Sequence, residues 1–141
     1  MKSNIIRLIF WLMVADFLII VSGLFLISEY NFLRFIVFPA WVIFAGLGAA
    51  LIILTIKQKV VGKLKAFLLL AGASGAGFLT FLVLHNLISA LLNVDEPVFF
   101  SLAGIICPVG FIIGVAGVII QTLKTKKSGS SDQNIIGGEA N

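Results

Sequence analysis

At 141 residues the chain has the length of one soluble domain, but 60% of it is apolar and only 11% is charged. That leaves too little polar surface to cover a water-soluble globule, and a mean hydropathy of +1.18 agrees. The net charge of +4 is carried outside the apolar blocks rather than as a basic face, which excludes nucleic acid as a partner, and the single cysteine excludes an intrachain disulfide and the paired thiols of a quinone-coupled oxidoreductase.

Four apolar blocks follow one another with short connections: 8–27, 36–56, 66–92 and 98–123. A hydrocarbon core of about 30 Å takes roughly 20 helical residues to cross, so each block predicts a membrane-spanning helix. Barrel strands would be about 10 residues with alternating polarity, and no such alternation is present. The expected fold is an all-α integral membrane protein, a four-helix up-down bundle spanning residues 1–123, with an unstructured cytoplasmic tail over 124–141.

The first block begins after Lys2 and Arg7, which could serve a signal peptide, but its apolar run is long for one and it holds an acid. It is therefore read as a retained span. That acid, Asp16, lies near the middle, about 12 Å from either end. A central Asp costs roughly 2.5–3.5 kcal/mol on insertion, which the many Leu, Ile, Phe and Val residues around it outweigh. An intramembrane carboxyl is a functional candidate in its own right. The stripe Leu12, Asp16, Ile19 and Gly23 is expected to face the bundle interior. The plainer reading is a hydrogen-bonded structural Asp; the sharper one is a proton- or cation-binding group.

The loop over 28–34 is short and amphipathic, with Tyr30 and Phe32 at headgroup level. Trp41, near the start of the second block, and Trp11, near the start of the first, suit an aromatic belt, although Trp11 can equally pack inside. Residues 57–65 form a lysine-rich turn centred on Gly62. In the third block His85 lies about four residues nearer than Asp16 to the same end of the bundle, an axial offset near 6 Å. His85, Asn86 and Asp16 are thus candidates for one intramembrane polar site. In the tight connection 93–97, Asn93 or Asp95 can cap the fourth block, with Asp95 and Glu96 at its positive dipole end and Pro97 in its first turn. Within that block Cys107 falls at a similar depth, and Pro108 removes a backbone donor and frees the carbonyl of Gly104. Haem would need a second axial ligand and a metal site needs clustered ligands, so no cofactor is expected.

Nine of the ten basic residues, all except Arg34, fall before the first block, between the second and third, or after the fourth. The positive-inside bias then places both termini in the cytoplasm of a multi-pass plasma-membrane protein, which in its small size looks like those of prokaryotes. Attraction to anionic headgroups follows as a by-product.

Small residues are dense in three blocks: Ala45–Ala50, Ala71–Gly77 with Gly72 and Gly75, and Gly110, Gly114 and Gly117 in the last. Helices in lipid associate through such residues because their backbones can approach closely. Two uses stay open, packing within the chain and a face for self-association or for a larger membrane complex.

No nucleophile–base or metal motif is present, so an enzyme is not expected. The leading expectation is a non-enzymatic structural or interaction subunit of the membrane. In size, span number and a first-helix carboxylate at Asp16, the chain also resembles the small multidrug-resistance transporters. That resemblance implies a proton- or cation-coupled small-molecule transporter with Asp16 as its coupling group.

Overall fold

The computed structural model describes residues 4–26, 34–93 and 97–136, and all of its regular structure is helical. Helix α1 covers Asn4–Leu26, α2 Arg34–Lys57 and α3 Gly62–Leu92. The last span is composite: a short α4, Pro97–Ser101, passes through one π turn, Leu102–Ile106, into α5, Cys107–Ile136. Four helical stretches, Asn4–Gly23, Val37–Lys57, Gly62–Leu92 and Pro97–Thr125, are long and apolar enough to cross a membrane. They suggest a multi-pass membrane protein. Their bounds lie within a few residues of the apolar blocks, because length and hydropathy alone determine where a helix can bridge hydrocarbon.

Two differences concern the helix ends. Helix α5 does not stop near residue 123 but continues to Ile136, through most of the segment expected as an unstructured tail. Asn93 closes α3 rather than opening the next helix. It takes a left-handed conformation, φ 49° and ψ 39°, at the C-terminal cap, a conformation that Asn tolerates better than most residues. Asp95, the other expected cap, and Glu96, expected beside it at the positive dipole end, lie outside the described residues, as do Tyr30 and Phe32.

The turn between α2 and α3 is built on hydrogen bonds. The Val60 amide donates to the Thr55 carbonyl at 3.3 Å, and the Lys59 amide to Ile56 at 3.1 Å. This pair of bonds is the Schellman closure of a helix, with Lys59 in the left-handed position at φ 50°. Val60 packs back on the core, which supplies the apolar contact that accompanies the motif. Gly62 then opens α3 at φ +72°.

Packing follows chain order. Helix α2 lies against α1 and α3, and α3 lies against α5. The α3–α5 register is antiparallel: Phe67 meets Gly117, Ala71 meets Gly114, Ser74 meets Gly110 and Gly77 meets Cys107. Helices α2 and α3 touch backbone to backbone, where a Cβ added to Gly48 would stand 2.7 Å from the carbonyl oxygen of Gly72. Only glycine permits that approach. The apolar core formed between the helices includes Ile6, Phe10, Met13, Phe44, Leu51, Leu68 and Phe111.

The buried stripe of α1 is Ile6, Phe10, Met13, Asp16, Ile20 and Gly23. The expected stripe shared only Asp16 and Gly23 with it. Leu12 and Ile19 are about half exposed. The helix is apolar on every side, so a period of 3.6 residues fits two adjacent faces equally well and no polar contrast chooses between them.

Candidate functional site

Asp16 is held inside the bundle by the residues one turn before and after it, Met13 and Ile20, both buried. Met13 in turn reaches across to Gly75 of α3, whose missing side chain makes room for the thioether methyl. The carboxyl is 8% exposed, and its Oδ2 atom is buried without a hydrogen-bond partner. Beside it three phenylalanines from three helices close the core. The rings of Phe17 and Phe111 are 4.7 Å apart, and Phe44 lies 5.1 Å from Phe111 and 5.8 Å from Phe17. A polar atom in such a setting has lost its water and gained nothing in return, which costs about 1–3 kcal/mol for a neutral group and more for a charged one.

Among the described residues two further buried polar atoms share that condition, the Trp41 Nε1 and the Thr55 Oγ1. Trp41 is half-buried, edge-on to Phe78 with ring centroids 5.6 Å apart, so part of the expected interfacial indole is packed between helices. Thr55 is fully buried. The sequence marks Trp41 only as an interfacial indole and gives no sign of Thr55, because a threonine in an apolar run is common; the loss of partners distinguishes both.

The remaining expected site residues are spread along α3 and α5. From the contact of Met13 with Gly75, the rise per residue places His85 about 10 Å beyond Asp16 along the bundle. Its ring is half-buried against Phe100 of α4, with centroids 5.5 Å apart. Asn86 is exposed on the outer surface of α3, and its Nδ2 donates to the Leu82 carbonyl at 2.8 Å. Cys107 is buried, with its Sγ facing Gly77. Cys107 and Asp16 lie at nearly the same level, on helices that face each other across the phenylalanine cluster. Among the described residues no three of His, Cys, Asp and Glu come together in a way that could hold a metal ion.

The proline in the last span is accommodated by a wider turn. The Cys107 amide donates to the Leu102 carbonyl instead of to Ala103, the i→i−5 bond of a π turn. Pro108 has no amide to give, so the turn before it holds a backbone carbonyl short of its helical donor. This polar notch adjoins Gly104, which is exposed and has open space where a Cβ would stand.

The small residues are used within the chain. A Cβ on Gly114 would approach the Ala71 backbone, one on Gly110 the Ser74 hydroxyl, one on Gly117 the Phe67 ring and one on Gly72 the Gly48 carbonyl. The glycine pair at 110 and 114 therefore joins α5 to α3.

A groove opens between α1 and α5 at the end of the bundle where Lys57, Lys59, Lys63 and Lys65 lie. Its volume is about 460 Å³, and it is bounded by Arg7, Phe10, Trp11, Val118, Ile119, Thr122, Leu123 and Thr125. The chain matches no protein-family model, no curated protein and no solved structure.

Proposed function

We propose that the chain is a small non-enzymatic subunit of a membrane, with both termini in the cytoplasm, that associates through the outer face of α3 with a second copy or with a larger membrane complex. The observation that supports this reading is Asn86. It is exposed on a membrane-length helix, about 9 Å from the helix end, among exposed Val83, Leu87 and Leu91. Its one hydrogen bond, to Leu82, leaves a carbonyl oxygen and a second amide hydrogen to satisfy. Facing lipid tails those groups have no partner; facing another helix they can bond across it. The glycine faces give no separate support, since they are occupied by contacts within the chain. The test is size and cross-linking in mild detergent: Asn86→Leu should convert an assembled species to the monomer, and an unchanged profile would remove the reading.

A second reading is favoured by the unpartnered Oδ2 of Asp16. A proton or a small cation would cancel the charge of a carboxylate held there, as a coupled small-molecule transporter requires. Flux that depends on pH in proteoliposomes, lost in a normally folded Asp16→Asn variant, would support it.

A further inference from the structure

We propose that the groove between α1 and α5 is a binding site for an anionic phospholipid, with the phosphate on Arg7 and one acyl chain along Phe10 and Val118. The groove is graded along its length. At the lysine-rich end it presents the Arg7 side chain, the Thr122 and Thr125 hydroxyls and, nearby, exposed Lys124. Deeper in, its floor is Phe10 and Val118, both almost fully buried, and its walls are Trp11 and Ile119. Both helices place their polar residues at the same end although they run in opposite directions. A phospholipid has that same polarity, and in a bilayer it would enter sideways in the same orientation.

The headgroup end is cationic. Among the described residues no acidic side chain pairs with Arg7. Guanidinium binds phosphate through two parallel hydrogen bonds. Both threonine hydroxyls already donate to backbone carbonyls, Thr122 to Val118 at 2.8 Å and Thr125 to Gln121 at 2.9 Å, which leaves their oxygens as acceptors for a headgroup hydroxyl. The lysines of the α2–α3 turn add to the local concentration of anionic lipid.

The groove's volume of about 460 Å³ leaves room for a run of methylenes over its Phe10 and Val118 floor.

Native mass spectrometry of the full chain, purified in mild detergent with equimolar phosphatidylglycerol and phosphatidylcholine, tests the site. The expected result is one retained lipid, with phosphatidylglycerol at least threefold over phosphatidylcholine. Arg7→Gln should bring that ratio near one while leaving the detergent melting curve in place, because Arg7 is exposed. Ile119→Trp, which fills the groove from its wall, should reduce retention of both lipids. Equal retention by the native chain, an unchanged ratio in Arg7→Gln, or displacement of the lipid by glycerol 3-phosphate alone would overturn the proposal.

Discussion

Gly114 of α5 and Ala71 of α3 meet backbone to backbone: a Cβ on Gly114 would stand 2.8 Å from the Ala71 amide nitrogen and 2.9 Å from its Cβ. Neither neighbour is a flexible side chain that could move aside. Gly114→Leu should therefore force the two helices apart, with a loss of about 1–3 kcal/mol or more from overpacking, read as a lower detergent melting temperature. Gly46 and Gly104, by contrast, have nothing within 4 Å of an added Cβ. Alanine at either should be neutral or should raise stability by up to about 1 kcal/mol, since each lies in a helix.

Lys59 occupies a left-handed position at φ 50°, which costs a residue with a side chain about 1–2 kcal/mol. Lys59→Gly removes that cost and keeps the two Schellman bonds. The expected outcome is a gain of about 1 kcal/mol in resistance to unfolding, measured by thermal or denaturant melting in detergent. A loss of stability would show that the lysine side chain itself holds the turn.

Asp16→Leu separates stability from function. It removes a buried carboxyl oxygen that has no partner and puts a methyl group of similar size among Met13, Ile20 and the phenylalanine cluster. Stability should rise by about 1–3 kcal/mol, because an unsatisfied polar atom is removed together with its desolvation cost. If the melting temperature falls instead, the carboxyl is making bonds that stabilise the bundle, and the transporter reading weakens with it.

Both termini should be inaccessible to a membrane-impermeant thiol reagent applied to intact cells. The assay uses single cysteines placed at Ser28 or at Ser128 after the buried native Cys107 is replaced by Ser. Labelling at 28 and not at 128 is the expected pattern. The reverse pattern would invert the orientation and turn the lysine-rich end outward.

Helix positions were legible in the chain because crossing hydrocarbon demands a length of apolar residues that nothing else here supplies. Helix faces were not. Met13 and Ile20 are buried while Leu12 and Ile19, their immediate neighbours, are about half exposed, and all four are equally apolar. The same ambiguity moved Asn86 from the expected interior to the outer surface of α3. His85, one residue earlier, turns toward α4, so two adjacent polar residues that read as one site point to different surroundings. Glycine spacing marks close packing as a chemical possibility, but the choice between α3 and a second molecule depends on which face of α5 turns inward. Arg7 and Trp11 became part of a groove only when Thr122 and Leu123, more than a hundred residues away in the chain, were brought beside them.

The π turn at Leu102–Ile106 contains one more residue than the α turn it replaces. That surplus sets the angular phase of everything before it. With it, Phe99 stacks on Phe81 at 6.3 Å and Phe100 lies beside His85. Removing a single residue from the turn would draw α4 in by about 1.5 Å and rotate it by about 100°, carrying both rings off the α3 surface. The last span thus behaves as two helices joined by a phase adjuster, and a deletion there would be felt at His85 rather than at the proline that accompanies the turn.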